Sequence, residues 1–305
     1  MKIKRVALVG FGAIGVVYAR KLIKSLGDDF AVIAGGNRAE KVRKGINLNG
    51  ELVKPRVIEP EEDNWKADLV IFTVKNYHLQ QALKDVANIV YDKTVMLTVL
   101  NGVTAHDEIK AVYKDNTVLY GIALGIDAVR DDNGIKNRND GVIQFGNADN
   151  TVISDEVKAV KDIFDNAGIG NEVCQDMLRT IWNKWMINVS TNQISAITGC
   201  TYGAFISVPE LNKAMREVMT EVITLARKKG INLTEDDAAA YEKILPTFDP
   251  KGKTSMLQDV EAKRQTEVDY FAGTVIKFGK EAGVPTPWND RMYLLIKGIE
   301  KIYEK

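Results

Sequence analysis

Gly10-Phe11-Gly12-Ala13-Ile14-Gly15, set between an apolar run and an amphipathic segment, constrains this chain more than any other stretch. Val6-Ala7-Leu8-Val9 before it has the unbroken apolar character of a strand buried on both faces. After it, Ile14, Val17, Tyr18 and Leu22 recur at helical spacing, and Gly27 supplies a helix stop. A strand feeding a glycine loop that opens a helix is the setting in which such spacing speaks for a dinucleotide. Gly10 allows the tight turn, Gly12 the close approach of backbone to pyrophosphate, and Gly15 the close packing of helix on strand. Phe11, Ala13 and Ile14 complete the loop, and the helix N-terminus offers N–H groups to the phosphates. The same string could be a glycine-rich turn without a ligand; its position after the first strand argues against that.

Further apolar runs follow at Phe30 to Ala34, Leu69 to Thr73, Val95 to Val99 and Val118 to Leu124, with Val142 to Phe145 as a last strand. Helix-like segments such as Leu79 to Val90 fill gaps between them. This alternation predicts an α/β first domain, a doubly wound parallel sheet with helices on both faces, over residues 1–175. Ligands of such sheets bind beyond the carboxyl ends of the strands. The second strand ends in Gly35-Gly36-Asn37-Arg38, without the acid that usually holds a ribose 2′-hydroxyl. Arg38 can pair bidentately with a 2′-phosphate and Asn37 can hydrogen-bond it, which favours NADPH over NADH. Glu40 complicates this, because a nearby carboxylate could hold a hydroxyl instead. Lys41 and Arg43 read as a solvated helix face. Lys75 and Asn101-Gly102 follow the third and fourth major strands. Lys75 could lie over a cofactor or substrate anion or escape to solvent, and Asn101-Gly102 could be an ordinary turn. His78 and His106 read as surface or structural residues.

From about Asp176 the β-runs stop and helical patterns take over, at Leu178 to Ile197, Pro209 to Lys229, Glu235 to Ile244, Gln258 to Ala282 and Trp288 to Tyr303. These predict an all-helical second domain over residues 176–305. Its sharpest signal is Ile181-Trp182-Asn183-Lys184-Trp185-Met186-Ile187-Asn188-Val189-Ser190-Thr191-Asn192. Lys184, Asn188 and Asn192 follow one another at i, i+4 and i+8, one stripe along one helical face. Apolar residues surround the stripe, and a buried, unpaired ammonium or amide is costly. The stripe therefore points to a polar ligand or to an internal seam between helices or subunits. Farther on, Ser255 precedes a long helical pattern and suits an N-cap. Glu267 could pair with Lys263 or Arg264 on the same helix.

Composition sets the outer bounds. The chain has 305 residues, 45% hydrophobic and 27% charged, with 41 Lys+Arg against 41 Asp+Glu. Two globular domains fit this length. The balanced charge gives no electrostatic footprint for nucleic acid or an anionic membrane. The longest apolar stretch, Ala7 to Ala19, carries three glycines and is too short to span a bilayer. The N-terminal segment Met1-Lys2-Ile3-Lys4-Arg5 lacks the pattern of a signal peptide, so a cytoplasmic protein is expected. Cys174, Cys200, His78 and His106 make neither a disulfide framework nor a convincing zinc cage, so no metal is expected.

Taken together, the motifs VGFGAIG, TVKNY, LNGV, NKWMINVSTN and SMLQDVEAKRQTEVDY resemble those of the ketopantoate reductase family over nearly the whole chain. The resemblance implies a Rossmann domain followed by a helical domain, the active site in the cleft, and frequently a homodimer. It implies NADPH-dependent reduction of 2-dehydropantoate, a small 2-oxo acid, to (R)-pantoate, on the way to pantothenate and coenzyme A. Lys184 matches the family's general acid, and Glu267 its active-site carboxylate. Asn101, Asn188, Asn192 and Ser255 match substrate-binding positions, with Asn101 also at the cofactor. Lys75 matches a lysine near the nicotinamide, and Arg38 the arginine for the 2′-phosphate. Two other readings stand beside this one: a reductase of another branched 2-oxo acid, and a catalytically silent NADP(H)-binding sensor.

Overall fold

The computed structural model of the chain describes residues 1–62, 64–131 and 133–303. It divides into two compact units, Met1–Leu178 and Arg179–Lys305.

The first unit is built on a ten-stranded sheet. Its strands are β1 (Val6–Val9), β2 (Phe30–Ile33), β3 (Ile46–Leu48), β4 (Glu51–Val53), β5 (Val57–Ile58), β6 (Leu69–Phe72), β7 (Val95–Thr98), β8 (Val118–Asp131), β9 (Gly134–Gly146) and β10 (Asn171–Val173). The order is β4-β3-β9-β8-β7-β6-β1-β2-β5, with β10 added to β9. Strands β7, β6, β1, β2 and β5 run parallel, as does the β7–β8 pair. Between them lie helices α1 (Ala13–Leu26), α2 (Gly36–Lys44), α3 (Leu79–Asp85), α4 (Ala105–Val112) and α5 (Asp155–Asn166).

The apolar runs of β1, β2, β6 and β7 are continuous because both faces of the sheet are covered. Leu8, Val32, Ile71 and Leu97 join a core on one side that includes α1 and α5 residues. Their alternates Ala7, Val9, Ala31, Val70, Phe72 and Met96 enter a second core with Leu79, Leu83 and Ile109 on the other. This is the doubly wound α/β arrangement that the strand–helix alternation predicts.

The expected strands at Val118 to Leu124 and Val142 to Phe145 are the inner ends of something longer. β8 and β9 pair antiparallel from Tyr120↔Gly146 out to Asp131↔Gly134, with a register shift at Asp127/Ala128. The outer half of this ribbon is polar, with Asp127, Arg130, Lys136, Asn137 and Asn139 along it, so no apolar run announces it. The expected second strand stops one residue earlier than Ala34. The expected Leu79 to Val90 helix splits into α3 and a 3-10 turn at Ala87–Ile89.

The second unit is helical, with α6 (Met177–Thr198), α7 (Ala204–Ser207), α8 (Pro209–Lys228), α9 (Glu235–Ile244), α10 (Ser255–Glu261), α11 (Ala272–Ala282) and α12 (Pro287–Tyr303). The starts and stops have local causes. Pro209 opens α8, Thr234 and Asp237 form a capping box on α9, and Gly283 ends α11 in the left-handed conformation. Trp182 stacks on Phe278 at 6.0 Å and meets Trp185 edge-on at 5.1 Å, joining α6 to α11. Among the described residues no helix is long and apolar enough to cross a membrane.

The predicted Gln258 to Ala282 helix is corrected by the structure. α10 ends at Glu261, Lys263 takes φ +52°, and a 3-10 turn at Val268–Tyr270 precedes α11. The break is held by Asp259, whose backbone oxygen accepts from Arg264 N at 2.8 Å and whose Oδ1 accepts from Arg264 Nε at 3.0 Å. Arg264 is therefore paired with Asp259 rather than with Glu267. The ideal-helix relation between Ser255 and Glu267 does not exist.

Candidate active site

In the first unit, the glycine loop is shaped by its neighbours. Gly10 has φ +103°, and a Cβ there would sit 2.7 Å from the Thr73 carbonyl carbon. A Cβ on Gly15 would sit 2.0 Å from Gly10 O, so α1 can reach its place only with glycine at that position. Around Gly12 the result is opposite: a Cβ would meet nothing within 4 Å, leaving backbone open to an incoming group. Gly12 caps α1 without any side-chain bond, and the first turn carries no acid. An uncapped helix start beside an open backbone position suits a pyrophosphate, so Gly10, Phe11, Gly12, Ala13, Ile14 and Gly15 fit a dinucleotide. The sequence reading missed Thr73, whose hydroxyl donates to Gly10 O at 2.7 Å and pins the loop from the end of β6.

Asn37 and Arg38 are not at a strand tip. Gly35 caps α2, and both residues lie exposed in its first turn, which again has no acid. Arg38 Nη2 donates to Asp85 Oδ2 at 3.2 Å, so the α3 carboxylate holds one edge of the guanidinium while half of the side chain stays in solvent. Asp85 is in turn held by Gln81 at 2.7 Å. Lys75 is half-buried just past β6, and Asn101 is half-buried past β7, its carbonyl accepting from Asn76 Nδ2 at 2.9 Å. His106 stacks on Tyr120 at 3.6 Å with Nε2 on Val118 O, a structural role, and His78 is exposed.

In the second unit, α6 carries an unusual load. Ser190, Thr191, Asn192, Gln193 and Ser195 are all buried, while Lys184 and Asn188 are half-buried. Much of this polar surface is satisfied inside the helix or across it. Thr191 Oγ1 donates to Ile187 O, and Gln193 Nε2 donates to Val189 O and to Asn289 Oδ1 of α12. Asn289 in turn donates to the buried Glu221 carboxylate of α8, which also accepts from Trp288 N and Asn289 N at the start of α12. Gln193, which is not one of the stripe residues, thus belongs to a polar seam joining α6, α12 and α8.

Asn192 belongs to a tighter junction. Its Oδ1 accepts from Ser255 Oγ at 2.9 Å and from Met256 N at 3.1 Å, and its Nδ2 donates to Asn188 Oδ1 at 3.3 Å. The structure corrects Ser255 as an N-cap. Thr254 is the cap, accepting from Leu257 N, and Ser255 is the first residue of α10, with its hydroxyl turned to α6. Asn192, Asn188 and Ser255 form one connected set, in which the Nδ2 of Asn188 is the end left to donate outward.

Lys184 and Glu267 meet electrostatically. Burial pushes the Lys184 ammonium down from its ordinary value to about 8, and Glu267 opposes that shift. Glu267 is 3% exposed and sits between Thr266 and the 3-10 turn, an inward placement that no helical periodicity in this stretch foretells. An ammonium with a pKa near working pH, kept charged by a carboxylate, can give a proton to an oxygen that is gaining negative charge.

Residues 6–150 match the family described as Ketopantoate reductase PanE/ApbA, and residues 176–300 match Ketopantoate reductase PanE/ApbA C terminal. The class defined in this way is that of NAD(P)H-dependent oxidoreductases. A 2-dehydropantoate 2-reductase of Archaeoglobus fulgidus is 30% identical over 304 residues, covering 98% of this chain and 99% of its own. The solved 2-dehydropantoate 2-reductase of Methylococcus capsulatus superposes with a TM-score of 0.85 at 26% identity, covering 99% and 98% of the two chains. D-mandelate dehydrogenase, solved with NADH and anilino(oxo)acetate, shares the fold with a TM-score of 0.87 at 22% identity, covering 99% and 100%. The chain belongs to the ketopantoate reductase PanE/ApbA family.

Proposed function

We propose that the protein reduces the 2-keto group of 2-dehydropantoate to the alcohol of (R)-pantoate, using NADPH, in the biosynthesis of pantothenate and coenzyme A. The observation that carries this reading is the placement of Lys184 on α6, one and two turns from Asn188 and Asn192, which are hydrogen-bonded in one set with Ser255, with the buried Glu267 supporting its charge. The reduced nicotinamide supplies the hydride when bound. Lys184 hydrogen-bonds the ketone oxygen and gives it a proton as negative charge builds there, and solvent then supplies a fresh proton to the amine. Glu267 keeps Lys184 charged before the step. Asn188 donates through Nδ2 to the substrate's oxygens, while Asn192 holds Asn188 and Ser255 in place. Lys75 and Asn101 lie past strand ends of the first unit, where ligands of parallel sheets bind. The glycine loop, the bare start of α1, Asn37 and the solvent edge of Arg38 suit a dinucleotide carrying a 2′-phosphate.

The test is turnover with a panel of 2-oxo acids, each with NADPH and with NADH, followed by loss of the reduced-nicotinamide absorbance. Turnover confined to ketopantoate and faster with NADPH supports the proposal. A preference for an aryl 2-oxo acid with NADH assigns the chain to chemistry like that of D-mandelate dehydrogenase. Binding of NADPH with no turnover on any acid leaves the sensor reading.

A further inference from the structure

Glu267 has no long helix to place it, so something else must set its carboxylate opposite Lys184. Its two flanks are both tied to α12. On one side Thr266, 1% exposed, donates from its backbone N and from its hydroxyl to the same Glu300 Oε1, each at 2.7 Å. The Thr266 hydroxyl oxygen also accepts from Val268 N at 3.3 Å, so one side chain links α12 to the 3-10 turn. On the other side, Asp269 accepts from Tyr293 OH at 2.8 Å and from Lys297 Nζ at 3.3 Å. Lys297 closes the set by pairing with Glu300 Oε2 at 2.9 Å. A third tie comes from α6: Trp185 Nε1 donates to Tyr270 O at 3.1 Å, next in sequence to Lys184.

We propose that α12 positions the active-site carboxylate, with Glu300 as a positioning residue that fixes Thr266 and thereby the direction of Glu267. The proposal rests on the reading of Lys184 and Glu267 as the reacting pair. Glu300 is 9% exposed, and a buried carboxylate accepting two short hydrogen bonds at one oxygen is a stiff anchor. The groups facing it are Thr266 across the gap and Tyr293, Lys297 and Tyr303 on its own helix, with Asp269 beyond Lys297. Among the described residues, Glu267 is the charge that acts on Lys184.

The experiment compares E300A, E300Q and T266V in the full chain, measuring kcat, KM, the pH profile of kcat, NADPH affinity and melting temperature. E300A removes the acceptor and is expected to lose between about tenfold and about a hundredfold in kcat, the upper figure being the cost of a misplacement of roughly 1 Å. Its alkaline limb should move to lower pH, because a displaced Glu267 no longer supports the Lys184 charge. E300Q keeps an acceptor oxygen for Thr266 and should stay within about twofold of wild type, and T266V should fall between the two. NADPH affinity should be the same in all. An alkaline limb unmoved in E300A, or equal losses in E300A and E300Q, overturns the proposal. Should E300A fail to fold, T266V combined with Y293F must reproduce the shift of the limb, and an unmoved limb there overturns it as well. If wild type reduces no 2-oxo acid, the functional reading fails by itself. The clamp is then judged by crystal structures of wild type and E300A, where an unmoved Glu267 carboxylate defeats it.

Discussion

The two units build their polar sites from different materials. In the first, the glycine loop works with backbone: positive φ at Gly10, absent side chains at Gly12 and Gly15, and the bare start of α1. In the second, the proposed set of Lys184, Asn188, Asn192, Ser255 and Glu267 consists of side chains brought in from separate stretches by helix packing. A backbone site is local, so it is vulnerable to added atoms. A side-chain site is distributed, so it is vulnerable to removed ones.

The largest effect expected from this contrast is on the side-chain site. Lys184→Met should lower kcat by about a thousandfold, the usual worth of a general acid, while NADPH binding persists. In wild type, kcat should fall as pH rises through about 8, since the acid form of Lys184 is lost there, and the variant's residual rate should not show that limb. A retained limb in the variant would break the assignment. The next effect is on the backbone site. Gly15→Ala places a Cβ 2.0 Å from Gly10 O, and a free protein that relieves about 3 kcal/mol of strain by moving the loop off this shape loses roughly a hundredfold in cofactor affinity. Titration of NADPH fluorescence measures it, and unchanged affinity would show that the loop is not the cradle. The smallest effect separates two neighbours. Thr254→Ala should cost about 1 kcal/mol of stability in denaturant titration through the lost cap. Ser255→Ala should leave that stability nearly intact and raise KM for the oxo acid.

Legibility in the sequence follows the same division. The strand–loop–helix of residues 6 to 26 could be read because each glycine answers a constraint within a few residues of itself. The doubly wound sheet could be read because strands covered on both faces stay apolar throughout. The Lys184 stripe stood out because α6 is long and regular, so its spacing maps directly onto a face. The outer β8–β9 ribbon was missed, since a polar, solvated hairpin carries no apolar signal. The break after Glu261 was missed because Asp259 and Arg264 close it by tertiary-like contacts within a stretch whose composition still favours a helix. The same break explains why spacing alone could not bring Ser255 and Glu267 together; their motifs suggested it only by resemblance. Arg38 was legible as a cation near the second strand's end, but its hold on Asp85 depends on α3, many residues away.

Thr73 gives the glycine loop an owner outside itself. Its hydroxyl reaches Gly10 O only because β6 lies beside β1 in the register that pairs Val9 with Phe72. An engineer transplanting residues 10 to 15 into another parallel sheet would carry over the letters without the shape, unless the adjoining strand also brought a hydroxyl to that level.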